Sequence, residues 1–279
     1  MDFRLLPFAV VVLALSGCIG QTITGSGLVI EDFSPDFASV FPGEEVHIDV
    51  KVRNLGTVDA QIRDIQMTGL DTKNWKMETS NCNELLRNGI NAGGSASCTI
   101  ALVSPETNGL EMSFTPNLHL TYSYRTVSVA LVSIGTLDEA RRISMQGGTI
   151  PYQTQSTTGG PVVIDIKASS PVRVSDSSVD FPIRVTVSSG SGTVCSGGCN
   201  ENTWNKVRIN MDSSLKSSDC PREMELSLFK GQSNAFVCNM KASPSDAGAG
   251  ITQKRIEISS DYNYITQKST SISIKKKTV

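Results

Sequence analysis

From residue 29 onward, alternation of apolar and polar positions dominates the chain. Val46, Ile48, Val50 and Val52 take every second place in one run. Leu118, Leu120, Tyr122 and Tyr124 do so in another, and Val127, Val129 and Leu131 in a third. A period of two sends successive side chains to opposite faces of an extended backbone, so each run predicts a half-exposed strand with one buried face. The 3.6-residue period of amphipathic helices is almost absent. Turn chemistry separates the runs: Phe41-Pro42-Gly43, Asn54-Leu55-Gly56, Asn91-Ala92-Gly93-Gly94 and Asn108-Gly109. Short strands so spaced predict an all-β fold of the sandwich type.

The second half repeats the first. Cys98 lies 24 residues before Tyr122 and Cys238 lies 24 before Tyr262, an offset of 140 that also carries Tyr122-Ser123-Tyr124 onto Tyr262-Asn263-Tyr264 and Ile134 onto Ile274. Upstream, Val50-Lys51-Val52 with Gly56-Thr57-Val58 pairs with Val185-Thr186-Val187 and Gly192-Thr193-Val194, at an offset shifted by loop length. Two tandem copies of one sandwich, 29–135 and 161–279, account for this economically. The segment between them, 136–160, opens with the one plausible helix. Thr136 and Glu139 have capping-box spacing, and Arg141 and Arg142 suit the negative end of the helix dipole. The uncharged stretch from Gln146 to Pro161, rich in Gly, Thr and Gln, reads as an interdomain linker.

Seven cysteines change the picture. Setting aside Cys18, the remaining six form an even set, which in an exported protein predicts disulfides. Cys82 and Cys98 are the pair available in the first copy, and the repeat makes Cys220 and Cys238 their equivalent. That leaves Cys195 with Cys199 across a small loop. The rival is a four-cysteine zinc site in the second copy, but Cys-x3-Cys…Cys-x17-Cys lacks the paired knuckles such sites use.

Arg4 precedes an uncharged apolar run from Leu5 to Leu15, too short to span a bilayer but suited to the hydrophobic region of a signal peptide over 1–17. Leu15-Ser16-Gly17-Cys18 resembles the lipobox of prokaryotic lipoproteins. The resemblance implies that Cys18 carries diacylglycerol and becomes the first mature residue, holding the chain on the extracytoplasmic face of the cell membrane. Residues 18–28 then read as a lipid-anchored tether.

The formal net charge is −2, which gives no support for nucleic-acid binding. Lys275-Lys276-Lys277 reads as a solvated end. The two histidines, His47 and His119, fall on the polar faces of alternating strands with no adjacent carboxylate motif. Neither is accompanied by a Gly-x-Ser-x-Gly elbow, and Gly93-Gly94-Ser95-Ala96-Ser97 lacks the closing glycine. Gly190-Ser191-Gly192 has no Lys-Ser/Thr or helix after it to make a phosphate cradle. Trp75 and Trp204 are candidate sugar platforms, though one tryptophan per sandwich is more often packing. No catalytic, cofactor-binding or metal residue is predicted, and the chain reads as a non-enzyme.

Phe41-Pro42-Gly43-Glu44-Glu45, the alternation that follows it and the exit at Asn54-Leu55-Gly56, where Asn and Gly tolerate a left-handed turn, resemble the opening of CARDB-type and S-layer-associated Ig-like domains of archaeal and bacterial surface proteins. The resemblance implies Ig-like sandwiches, a role in adhesion or envelope scaffolding, and no enzymatic activity. With a lipobox, it suits an archaeal envelope. The partner expected besides the membrane is a surface protein or glycan. A ligand-capturing accessory lipoprotein of a transporter, secretion or pilus assembly is the alternative, and an envelope hydrolase the remote one.

Overall fold

Residue-by-residue alternation becomes strand geometry most plainly in Glu45–Asn54, where every second side chain is buried from Val46 to Asn54. The computed structural model describes residues 26–71, 74–248 and 250–276. The expected signal peptide over 1–17 and Cys18 lie outside them.

The first half contains β1 (Leu28–Pro35), β2 (Ser39–Val40), β3 (Glu45–Asn54), β4 (Gln61–Thr68), β5 (Lys76–Ser80), α1 (Asn83–Asn88), β6 (Ser95–Val103), β7 (Met112–Phe114) and β8 (Asn117–Thr136). Then come α2 (Leu137–Met145) and β9 (Thr154–Thr157). The second half contains β10 (Val162–Ala168), β11 (Val172–Val174), β12 (Val179–Ser189), β13 (Thr193–Cys195), β14 (Lys206–Ser213), β15 (Lys216–Ser217), β16 (Glu223–Phe229), β17 (Gln232–Ser233) and β18 (Phe236–Ala242). It closes with α3 (Pro244–Ala247), β19 (Ile251–Ser269) and β20 (Ile272–Ile274). The chain is all-β and of sandwich type, as its alternation predicts.

The halves are built alike. In the first, a sheet runs β1-β3-β6-β5. In the second, β10 pairs with β12, β12 with β18 and β18 with β15. A disulfide ties the third strand of each set to the segment just after its fourth: Cys82–Cys98 and Cys220–Cys238. The third bond, Cys195–Cys199, clips a loop after β13. Bonded in pairs, these sulfurs leave no four-thiolate zinc site. Three disulfides mark an oxidising, extracytoplasmic compartment. No described helix is long and apolar enough to cross a membrane.

The two halves are joined by more than the segment between them. β8 and β19 pair antiparallel from Asn117↔Ser269 to Gly135↔Ile251, and β7 with β20 continues the same register to Met112↔Ile274. Within its own half β8 pairs with β4, but beyond Arg125 its outer edge takes β9 and then β11. Conversely, β20 at the end of the second half lies between β2 and β7 of the first. Each half therefore sends the end of its last strand into the other. The repeat carries Ser123 onto Asn263, and the ladder pairs those same two residues. A local two-fold axis passes between them, and one buried apolar cluster runs through both halves.

Three local expectations are corrected. The runs 118–124 and 127–131 are one strand, because no turn residue interrupts them. Its inner face continues at Thr126, Ser128, Ala130 and Val132, leaving Val127, Val129 and Leu131 half-buried on the outer face. Small side chains sit inward there because β10 packs close: Thr126 Oγ1 donates to the Val162 carbonyl at 3.1 Å. The exit at Asn54-Leu55-Gly56 is not left-handed, as neither Asn54 nor Gly56 has a positive φ. Asn54 instead folds its buried side chain back, donating to the Val58 and Ile90 carbonyls and accepting from Gly56 N. At α2, Thr136 Oγ1 caps Glu139 N at 3.2 Å, but Glu139 turns to Arg142 rather than completing the box.

Candidate interaction face

Four tyrosines meet at the two-fold axis. Alternation points Tyr122, Tyr124, Tyr262 and Tyr264 inward, and antiparallel register sets Tyr122 opposite Tyr264 and Tyr124 opposite Tyr262. The ring centroids of those pairs are 5.7 and 6.3 Å apart. Glycines make room beneath the outer rings. A Cβ at Gly56 would stand 1.9 Å from the Tyr124 hydroxyl, and one at Gly192 would stand 2.4 Å from the Tyr264 ring. Here lies the physical reason for the repeated Gly-Thr-Val. Tyr124 Oη accepts from Val58 N and donates to the Gly159 carbonyl, while Tyr264 Oη accepts from Gly192 N. Tyr262 and Thr126 share a hydroxyl–hydroxyl bond of 2.9 Å. Burial is the largest influence on all four phenols and pushes each above the usual tyrosine range. They serve as neutral scaffold.

Above this cluster the outer face is polar. A saddle of about 410 Å³ straddles the axis, lined by Arg63, Ser123, Arg125, Asp261, Asn263 and Gly197 among others, so that both halves contribute. Arg125 and Asp261 approach to 3.9 Å, both well exposed. The Cys195–Cys199 clip positions one wall, because Asn263 Nδ2 donates to the Gly197 carbonyl at 2.5 Å. Trp204 stands on the same loop, bridged to Cys195 and 44% exposed. Along the neighbouring strands, Lys206–Glu225 and Arg208–Glu223 continue the charged surface. Hydrogen bonding from Ser196, followed by the charge of Lys206, holds the Glu225 carboxyl below its ordinary range. Exposed pairs like these, screened by water and salt, add little stability. Their consequence is a flat surface rich in donors and acceptors.

A larger hollow of about 940 Å³ lies beside the Cys220–Cys238 bond. Met211, Leu215 and Met240 form its apolar part and Asp212, Lys216, Asp219 and Arg222 its polar part. Asp219 approaches the two sulfurs, but its oxygens bond Asn239, and the sulfurs are spent on each other.

The structure separates the two tryptophans. Trp75 is core, edge-on to Phe114 at 5.4 Å; Trp204 is exposed. His119 bonds Thr68 and Asn117 on the outer face. His47 does have carboxylates nearby, Asp36 at 3.3 Å and Glu45 at 3.3 Å. Sequence reasoning missed Asp36 because strand pairing, not local spacing, brings β1 beside β3. The saddle was likewise missed: its residues come from several segments and share no motif. The Tyr-x-Tyr repeat was the available signal for its centre.

No family model matches the chain, and no curated protein matches it. Among solved structures, the secreted serine protease VesC from Vibrio cholerae is similar at 8% identity and a TM-score of 0.21, over 86% of this chain and 51% of that one. The chain thus spans about half of that protein's length. The Enterococcus faecalis MSCRAMM ACE, described as binding its ligands by the collagen Hug model, is similar at 9% identity and a TM-score of 0.19, over 90% of this chain and 96% of that one. Likeness at this level carries no argument about function.

Proposed function

We propose that this chain is a non-enzymatic surface protein, held by a lipid on Cys18 at the extracytoplasmic face of the membrane, that offers its outer face to a protein or glycan partner. The observation carrying the reading is the saddle on the two-fold axis. It is shallow, polar, built by both halves on a stapled scaffold, and flanked by an exposed tryptophan. Exposed aromatic rings beside fixed polar groups suit recognition of a protein or sugar surface. The strand exchange supports a structural role, since the long shared ladder resists hinging between the halves. The lipobox-like Leu15-Ser16-Gly17-Cys18 supports the anchor, and the CARDB-like opening of the first half supports the surface role.

The test is crosslinking on intact membranes, comparing the native chain with Arg63→Glu/Trp204→Ala. A partner recovered with the native chain and lost with the variant supports the face; retention by the variant sinks it. Separately, Cys18→Ser is expected to move the protein to the soluble fraction, and persistent membrane binding would refute the anchor. Ligand capture is the second reading, favoured by the hollow beside Cys220–Cys238. It requires that Met240→Trp abolish uptake of a small solute by the machine the protein serves.

A further inference from the structure

The outer face of the β10-β12-β18-β15 sheet carries its charges in an unfavourable order. Antiparallel register sets Lys167 directly opposite Arg184 and Lys241 directly opposite Lys216. All four are exposed. Residues so placed share a face, and like charges directly opposite each other oppose the pairing of their strands. The acids nearby give little relief. Asp165 pairs with Lys167 at 3.5 Å, Asp180 accepts from Ser218 Oγ at 2.8 Å, and Asp219 holds the Asn239 amide at 3.0 Å. Arg184, Lys216 and Lys241 have no ion pair among the described residues.

The fold itself does not ask for this arrangement. Val50 of the first half matches Val185, which puts Asp49 in the place of Arg184. Asp49 accepts from Thr99 Oγ1 at 2.9 Å, and the cations of its strand, Lys51 and Arg53, both pair with Glu31. Cations are matched by acid on the first face and left over on the second. A surface that keeps uncompensated cations in register is complementary to something anionic.

The same face ends in an exposed ring. Phe229 lies opposite Gln232, Gln232 opposite Ser188 and Ser188 opposite Val163, one row across the sheet. Lys230 and Gly231 turn the hairpin with φ of 50° and 78°, the left-handed geometry of a tight two-residue turn. The turn leaves Phe229 79% exposed, with Lys230 Nζ 5.6 Å from its ring centre. Val237, opposite Arg184, is exposed as well. Apolar side chains flanked by cations suit the boundary between anionic headgroups and acyl chains.

The chain reaches this row from its N-terminal side. Gly27 lies against Pro161, where an added Cβ would stand 2.8 Å from Cδ. The Pro161 carbonyl accepts from Gly190 N at 2.8 Å, and beside it Ser189 N donates to the Gly231 carbonyl of the hairpin at 2.7 Å. Nine residues of chain separate Gly27 from Cys18, a reach of at most about 30 Å. The saddle is on the other side of the sandwich. Ser123 and Asn263 line it, whereas β10 packs on the inner face of the central ladder through Thr126 and Val162.

We propose that this face of the second half lies on anionic phospholipid headgroups, with Phe229 entering the interface and Arg184, Lys216, Lys230 and Lys241 meeting the charge. Taken with the lipid on Cys18, which is the reading proposed above, it lays the molecule down beside its anchor. The saddle is then turned away from the membrane, toward a partner. Alone and at physiological salt the face binds weakly; the anchor supplies the local concentration at which it engages.

The experiment uses residues 18–279 with Cys18→Ser, so the face is read apart from the anchor. Flotation at low salt with vesicles of phosphatidylcholine and phosphatidylglycerol in equal parts is compared with flotation on phosphatidylcholine alone. Binding about tenfold tighter or more to the anionic vesicles is expected, and salt at about 0.5 M should abolish the difference. Each cation near such a surface is worth about fivefold, so Arg184→Glu/Lys241→Glu should weaken binding by more than about tenfold. Its thermal midpoint should hold or rise, because opposite charges then face each other across the strands. Lys76→Glu/Arg87→Glu makes the same change in net charge on exposed residues of the first half and should leave binding as it was. Phe229→Ser should weaken binding several-fold. Equal binding to neutral vesicles, or equal loss in the two double variants, overturns the proposal. So does binding to soluble polyphosphate that matches the vesicles and ignores Phe229→Ser, which would give the face to an acidic polymer.

Discussion

Gly192 lies directly beneath Tyr264, donating its N–H to the phenol oxygen at 2.7 Å. An added Cβ would meet the Ile265 carbonyl at 2.2 Å as well as the ring at 2.4 Å. The carbonyl is ladder backbone and cannot swing aside. Gly192→Ala is therefore expected to cost about 1–3 kcal/mol by overpacking, and Gly56→Ala beneath Tyr124 a similar amount. Urea midpoints measure both; an unchanged midpoint for either would mean that the glycine is not there to admit the ring.

Within the tyrosine cluster, two buried hydroxyls have opposite fates. Tyr262 shares its bond with Thr126, while Tyr122 Oη has no partner, the Leu28 backbone coming near without good geometry. Removing a bonded hydroxyl strands its partner, at a cost of about 1–2 kcal/mol, whereas removing an unbonded one relieves desolvation. Tyr262→Phe should destabilise, and Tyr122→Phe should be neutral or stabilising. Equal losses would show that Tyr122 is bonded after all.

Much of this was legible from residue order. The alternation through Val46–Val52 yields β3 and its buried face, and the shared offset of Cys98 with Tyr122 yields both the repeat and the disulfide pairing. Strand exchange was not legible. A period of two says which face is buried but not which strand supplies the cover. Nothing in Ile272-Ser273-Ile274 distinguishes packing in its own half from packing beside Val40. The saddle was hidden for a related reason, since Arg63, Arg125 and Gly197 become neighbours only through register.

Alkaline titration provides a third test. Burial raises all four clustered phenols above the ordinary value of 10.0. Raised folded values mean that the native state holds these protons more tightly than the unfolded chain does. The resulting stability is complete below pH ~10 and drains away as pH climbs through the folded values. Unfolding free energy should be flat with respect to these groups from neutrality to pH ~10 and fall beyond it. In Tyr122→Phe/Tyr264→Phe that fall should be shallower. A slope that does not change would assign alkaline loss to other groups.

Loop length ranks the disulfides. Cys82–Cys98 closes a separation of 16 residues and Cys195–Cys199 one of 4. Constraint of the unfolded chain grows with the logarithm of the loop, giving about 3 kcal/mol for the first and about 2 for the second. Paired alanine variants, Cys82→Ala/Cys98→Ala and Cys195→Ala/Cys199→Ala, should follow that order in thermal midpoint. The second pair should also loosen the wall of the saddle. A larger stability loss from the short loop would show that the clip holds structure well beyond its own turn.

Strand exchange makes a sharper demand, because it predicts where damage appears. Ile274 is fully buried and belongs by sequence to the second half, yet it pairs with Val40 and Met112 of the first. Its equivalent Ile134 belongs to the first half and pairs with Val172 of the second. Truncating either to alanine opens a cavity costing about 2–5 kcal/mol, but local opening follows packing rather than sequence. Hydrogen exchange of Ile274→Ala should accelerate at Ser39–Val40 and Met112–Phe114 before β12 and β18 respond. Ile134→Ala should accelerate Val172–Val174 before β3 and β6. If each variant instead loosens the half that contains it in sequence, the halves fold as separate sandwiches and the exchange is wrong. If the crossed pattern appears, neither half has a complete sheet without the other's last strand, and the chain behaves as a dimer written into one polypeptide.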